Sequence, residues 1–192
     1  MKKIFFVLLF ALAICSFGSR AFAQEADLPL LAQGEFFSIY AYPGIDPEEL
    51  LQRLNFNYFF EVNGLQTGRD SPKDIVAKTF DAIYLEVSDT LGISAYAFKG
   101  KVKIFTDQQA LNREYVAFFG KDFPERAFYL HEKGTLYFSM ADLTLGMLAH
   151  EMAHVIMSHY FVIPPPARLQ EILSGYAEYH FRKMLSPAAN DL

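Results

Sequence analysis

Cysteine is almost absent from this chain, since Cys15 is the only one among its 192 residues. A single thiol cannot form a disulfide within the chain, so the fold cannot depend on disulfides outside the cytosol. Cysteine-based catalysis is excluded as well, because Cys15 lies in an N-terminal segment that we expect to be removed. A lipid anchor is disfavoured because Ile14 precedes it, where a small residue is preferred.

The first 23 residues have the composition of an export signal. Lys2 and Lys3 precede an apolar stretch at 4–14, and Ala21-Phe22-Ala23 has the small-x-small pattern that signal peptidase cleaves. The apolar stretch is too short to predict a helix that spans a membrane. We therefore expect residues 1–23 to be a signal peptide and residues 24–192 to form one exported domain, periplasmic or extracellular.

The chain also lacks an excess of basic residues. Asp and Glu number 22 against 17 Lys and Arg, which gives a formal net charge of −5. Loss of the signal segment would take that charge to −8, because it carries three cations and no acid. The acidic balance argues against nucleic acid and anionic membrane surfaces as main partners.

The most specific pattern in the sequence is His150-Glu151-Met152-Ala153-His154. Residues four apart share one face of a helix, so both imidazoles could bind one Zn²⁺, as in the HExxH signature of zinc proteases. The pattern Ser139-Met140-Ala141-Asp142 predicts that this helix begins near Ser139, and the apolar run to Met157 predicts burial on most sides. Polar groups buried there would need partners, which a metal would supply.

A third ligand is expected from the next helix. The segment Pro164-Pro165-Pro166 cannot continue the first helix and is suited to open a second one, in which Glu171, Ser174 and Glu178 share a face. An antiparallel helix pair joined by such a turn can bring Glu171 back over the two histidines.

The two motifs together resemble the gluzincin zinc metallopeptidases of the peptidase MA-like type. Their second motif is typically WLxEGxAxYxE, and this chain reads Arg168-Leu169-Gln170-Glu171-Ile172-Leu173-Ser174-Gly175-Tyr176-Ala177-Glu178. Arg168 stands in place of the usual Trp, and Ile172 in place of the usual Gly. The resemblance implies that Glu171 is the third zinc ligand and that Glu178 lies behind the ligands or binds a substrate amine. A shifted alignment would make Glu178 the ligand, and it could also be a solvated helix residue.

Three ligands leave a fourth zinc position for water, which is typical of a catalytic site. Glu151 projects about 100° around the helix from His150, so it could take a proton from that water and pass it to the leaving amine. A tetrahedral intermediate also needs a donor for its oxyanion. Tyr176, His159 and His180 are the candidates, with alternative readings as a core aromatic, a helix C-terminal residue and a surface side chain.

The upstream sequence predicts an α+β fold with a small mixed β-sheet. Periodicity and capping signals indicate strands at 36–42 and 101–105 and helices from Asp46, at 72–91 and at 107–119, with Asn55 to Gly68 as a strand plus loop. Segments 126–130 and 135–139 read as a hairpin that leads into the histidine helix and could form the sheet edge. Gluzincins resemble this layout, and their edge strand holds an extended peptide, although an ordinary packing hairpin fits equally.

The functional expectation is thus an exported zinc peptidase that acts on peptides or proteins. Only 14 residues follow Glu178, so the chain resembles a minimal gluzincin with an open cleft, which an accessory protein could complete. A second hypothesis is a zincin-like binding module with a structural or vestigial metal. A third is a helical packing protein that holds no metal, and other divalent ions than zinc would also suit the ligands.

Overall fold

The computed structural model describes residues 27–55, 70–94, 97–122 and 124–185. Within these ranges the chain is an α+β fold of five helices and a five-stranded mixed sheet, as expected for its class. The expected signal segment and nearly all of the Asn55 to Gly68 segment lie outside the described residues. In the described ranges, no helix combines the length and the apolarity that crossing a membrane requires.

The elements follow the predicted order, except that the structure adds a first strand, Leu30–Gln33, which the sequence signals did not predict. The strands are β1 (Leu30–Gln33), β2 (Phe37–Ala41), β3 (Gly100–Phe105), β4 (Ala127–Leu130) and β5 (Thr135–Ser139). The helices are α1 (Pro47–Arg53), α2 (Pro72–Leu91), α3 (Gln108–Phe119), α4 (Leu145–Tyr160) and α5 (Ala167–Met184).

The sheet has the strand order β1-β2-β3-β5-β4. Strands β2, β3 and β5 are parallel, whereas β1 and β4 pair antiparallel at the two sides. The predicted hairpin is confirmed: β4 and β5 are joined by a 3-10 turn at His131–Lys133, which ends at Gly134 with a left-handed φ of 56°. Its first arm, β4, lies at the edge of the sheet.

The predicted helix starts depend on local caps that the structure contains. The Asp46 carboxylate accepts a hydrogen bond from the Glu48 amide, and Asp107 accepts one from Ala110 at 2.8 Å. Ser71 forms a reciprocal capping box with Asp74. These contacts satisfy amides that have no partner within the helix, which explains why short-range sequence signals predicted them correctly.

The predicted start of the histidine helix near Ser139 is wrong. Ser139 is the last residue of β5 and lies opposite Phe105 of β3, so its backbone is extended. Its hydroxyl donates to the Asp142 carboxylate at 2.8 Å across a turn, and Thr144 caps α4 by accepting from the Met147 amide. Strand pairing therefore overrides a capping pattern that is compatible with both structures.

The core lies on both faces of the sheet. Helices α2 and α4 cover one face with fully buried side chains such as Phe80, Tyr84 and Met152. Helix α3 covers the other face, where Leu111 packs with Tyr137. Up to Ser158, α4 is buried at all but five positions, which confirms the predicted burial on most sides; the half-buried residues are Met147, His150, Glu151, His154 and Ser158.

Candidate metal centre

Helix α4 presents both histidines of the motif on one side. The Nε2 atoms of His150 and His154 are 3.3 Å apart, and their ring centroids are separated by 5.1 Å. The four-residue spacing produces this pair, because residues one turn apart lie above one another on a helix. Two ring nitrogens at this distance can act as ligands of one cation.

Helix α5 brings Glu171 to the same nitrogens. One carboxylate oxygen lies 3.6 Å from Nε2 of His150, and the other lies 3.5 Å from Nε2 of His154. One ligand atom from each of the three residues lies within 4.8 Å of the others. The structure therefore unites the two histidines and the glutamate that the sequence selected, and this set could hold a metal ion.

Packing between α4 and α5 determines which acids face the histidines. Ser174, Ala177 and Phe181 are fully buried, so this side of α5 lies against the rest of the fold. A side chain at Gly146 of α4 would come within 3.3 Å of the Glu178 side chain, so the absence of a Cβ permits close approach of the helices. Glu171 and Glu178 flank the buried side, which directs both carboxylates toward α4.

Glu178 has a different contact from Glu171. Its Oε2 lies 3.2 Å from Nδ1 of His150, the ring nitrogen that faces away from the cluster. Its other oxygen accepts from Arg182 at 2.6 Å. A carboxylate on Nδ1 fixes the tautomer that leaves the Nε2 lone pair available to a cation. Of the two glutamates considered as third ligand, Glu171 joins the cluster and Glu178 supports a histidine.

The electrostatics of the cluster favour a cation. Burial raises the pKa of Glu151 to about 7, and the nearby carboxylates of Glu171, Glu125 and Glu178 add to that increase. Burial lowers the pKa of His154, and His150 beside it lowers that pKa further, while Glu171 opposes the change. A neutral imidazole among several carboxylates is a suitable environment for a divalent ion.

The cluster opens into a cleft of about 900 Å³. Helices α4 and α5 form one wall with the two histidines, Glu151 and Glu171. Residues 125–129 and His131, in and beside the edge strand β4, line another part of the cleft. Glu151 lines the cleft without belonging to the three-residue ligand set. The arrangement can hold a cation, a carboxylate base and an extended chain in one space.

The structure does not bring Tyr176 or His180 to the cluster. Tyr176 is 53% exposed and is not among the residues that line the cleft, since it lies about 140° around α5 from Glu171. His180 contacts Glu86 of α2 at 3.3 Å. His159, the third candidate, contacts the Val155 carbonyl through Nδ1 at 2.9 Å.

Tyr129 is a cleft residue that the sequence motifs did not identify. It lies in β4, and its hydroxyl is 3.4 Å from Nδ1 of His159. Burial raises its pKa to about 12, although a contact with Ser158 of α4 opposes that increase, so the phenol keeps its proton at neutral pH. Ser158 is one helical turn beyond His154. Sequence signals predicted the strand but gave no indication of the cleft that this residue borders.

Comparison with known proteins adds no family assignment. The chain matches no known protein-family model, no curated protein and no solved structure.

Proposed function

We propose that the protein is a zinc-dependent peptidase that hydrolyses peptide bonds in extended segments. The observation that carries this proposal is the convergence of His150, His154 and Glu171, with ligand atoms within 4.8 Å of one another at one end of a cleft. Two imidazoles and one carboxylate form a ligand set typical of catalytic zinc sites. The expected export of the chain stays a prediction, because residues 1–23 lie outside the described ranges.

The three residues fit the ion in both ligand chemistry and support. Imidazole nitrogen and carboxylate oxygen both bind zinc, and Glu178 orients His150 through the opposite ring nitrogen. When bound, zinc would polarise a substrate carbonyl and lower the pKa of a coordinated water. The open side of the cluster, where more than half of the Glu171 side chain is exposed, leaves room for substrate.

Glu151 is the proposed general base. It follows His150 in α4, lines the cleft and lies close enough to Glu171 for the two carboxylates to interact electrostatically. In this role its carboxylate accepts a proton from the water that attacks the carbonyl carbon. It then delivers that proton to the amide nitrogen as the C–N bond breaks, which releases an amine and a carboxylic acid.

The substrate class follows from the edge strand. Strand β4 forms a cleft wall and pairs with β5, so its other side is open to an added strand within the described part of the chain. An extended peptide can pair with such an edge through main-chain hydrogen bonds, whereas folded segments cannot. We therefore propose unfolded or locally extended polypeptide as the substrate.

The decisive test compares Glu151→Gln with Glu125→Gln, two isosteric changes of acids that line the same cleft. The first variant should bind one zinc ion per chain and cleave unfolded casein at least about 100-fold more slowly, because it lacks the base. The second should retain both zinc and cleavage within a few fold. Metal content is measured by atomic emission and cleavage by release of new amino termini.

Two results would count against the proposal. Stoichiometric zinc with no cleavage that depends on Glu151 would favour a binding module whose metal is structural or vestigial. If the wild-type protein binds no zinc and His154→Ala behaves identically, both metal-based functions, the peptidase and the binding module, would be eliminated.

A further inference from the structure

The exposed apolar side chains of this protein are concentrated around one helix. Of the twelve large hydrophobic residues that are exposed in the described part of the chain, eight lie between positions 160 and 179. They are Tyr160, Phe161, Val162, Ile163, Leu169, Ile172, Tyr176 and Tyr179. Scattered single residues of this kind are ordinary on a protein surface, but a contiguous group marks a site of interaction.

Four of these residues form a stripe along α5. Leu169, Ile172, Tyr176 and Tyr179 follow one another at spacings of three, four and three residues, which keeps them on one face of a helix. The buried side of α5 carries Ala177 and lies on the opposite side of the helix. We call the stripe, together with Val162 and Ile163 of the preceding loop, the outer face of α5.

Charge on this face differs in sign from the charge of the whole chain. Arg168 and Lys183 lie on the same side of α5 as the stripe, one near each end, and neither has an ion-pair partner among the described residues. The acids Glu171 and Glu178 project from another side of the helix, toward the histidines of α4. The outer face is thus apolar with a cation at either end, in a chain of net charge −5.

The shape of this face also restricts what can cover it. Val162 is 100% exposed and Ile163 is 85% exposed, so both residues project from the protein surface. A protein partner would need a pocket to receive them, whereas a lipid bilayer accepts projecting apolar side chains without a complementary shape. Tyrosines beside such residues are typical of the membrane–water interface.

We propose that the outer face of α5 docks on the surface of an anionic lipid bilayer. Val162 and Ile163 enter the apolar region, the two tyrosines lie at the headgroup level, and Arg168 and Lys183 contact lipid phosphates. The net acidity of the chain does not prevent this, because charges farther than about 10 Å are largely screened in salt. A second copy of the chain is a less suitable partner for this face. Antiparallel pairing of two such helices would bring Arg168 of one copy near Lys183 of the other, and these like charges repel.

The first test uses the absence of tryptophan from the chain. Val162→Trp places one indole on the outer face, and the matched control Phe119→Trp places one at an exposed aromatic position on α3. Each protein is mixed with vesicles of phosphatidylcholine alone or of equal parts phosphatidylcholine and phosphatidylglycerol. Only Val162→Trp with the anionic vesicles should show a blue shift and quenching by brominated acyl chains. This local readout holds whatever residues 1–23 do and does not involve peptide cleavage.

The second test removes charge. Arg168→Gln combined with Lys183→Gln, in the Val162→Trp background, should weaken partitioning roughly thirtyfold, because each cation near an anionic surface contributes about a fivefold factor. Circular dichroism checks that the variants remain folded. An unshifted indole in Val162→Trp, or an equal response to neutral vesicles, would overturn the proposal. A blue shift that grows with protein concentration and without vesicles would instead identify self-association.

Discussion

At the scale of single residues, two glutamates on one helix have separate contacts. Glu171 and Glu178 are seven residues apart, which brings both to nearly the same side of α5. Glu171 approaches the Nε2 atoms of both histidines, while Glu178 contacts Nδ1 of His150. A difference in height of about two turns along the helix therefore separates the proposed ligand from the residue that orients a ligand.

Tyr129 is the residue that we propose as donor to the oxyanion of the peptidase reaction. Its phenol lines the cleft, whereas the Tyr176 phenol lies on the outer face of α5. Tyr129→Phe should lower kcat by about 100-fold with little change in KM, because the donated hydrogen bond acts in the transition state. Steady-state cleavage of a fluorogenic peptide provides the measurement.

The matched control for this prediction is Tyr176→Phe, the same chemical change at a phenol outside the cleft. We expect it to retain full kcat. Equal losses in the two variants, or a loss in Tyr176→Phe alone, would restore Tyr176 as the donor and contradict our choice.

At the scale of elements, the α4–α5 pair depends on packing rather than on capping. Helix α5 begins after Pro166 without a side-chain cap, and the prolines at 164–166 separate it from α4. Its stability comes from a buried side that includes Ser174, Ala177 and Phe181. The Ser174 hydroxyl is buried in this interface and has no hydrogen-bond partner in the described part of the chain, which is costly in an apolar setting.

Ser174→Ala should consequently stabilise the fold by about 1 kcal/mol, because it removes an unpaired buried hydroxyl and little volume. The free energy of unfolding is measured by urea denaturation of the metal-free protein. Ser88→Ala makes the same change at a buried serine whose hydroxyl donates to the Ile93 carbonyl. That control should be destabilised, since it leaves a buried carbonyl without its donor. A destabilised Ser174→Ala would mean that its hydroxyl has a partner, such as a buried water.

At the scale of the whole molecule, the proposed metal would connect two helices that differ in their contacts. Helix α4 packs on the sheet beside α2, while α5 packs mainly on α4. The ligands come from both helices, so a bound ion would join α5 to the core through α4. An ion that binds only the folded state raises the apparent stability of the protein.

Zinc at a thousandfold excess over its Kd should therefore raise the Tm of metal-free protein by about ten degrees, which corresponds to ~4 kcal/mol. Differential scanning fluorimetry with zinc and then with excess EDTA measures the change and its reversal. His154→Ala should show no comparable shift, since it retains only two of the three ligands. A similar rise in that variant would indicate that zinc binds elsewhere.

Short-range signals were sufficient for most of the fold. The caps at Asp46, Ser71 and Asp107 and the hairpin that ends at Ser139 each depend on contacts within a few residues, so the sequence around them determines them. The wrong helix start at Ser139 shows the limit of such signals. Ser139 pairs with Phe105 of β3, a strand that is distant in sequence, and a local pattern does not report that contact. The four-residue spacing of the histidines likewise required only a helix to form their pair.

The sequence by itself therefore determined most of the elements, their order and the histidine pair, but it did not indicate β1 or the start of α4. Only the tertiary structure decided which residues of α5 face that pair, because the rotation of α5 about its axis depends on how Ala177 and Phe181 pack against the fold. That rotation directs Glu171 inward and Tyr176 outward. The tertiary structure also placed Tyr129 of the sheet edge in the lining of the cleft, since contacts between distant segments have no signature in local spacing.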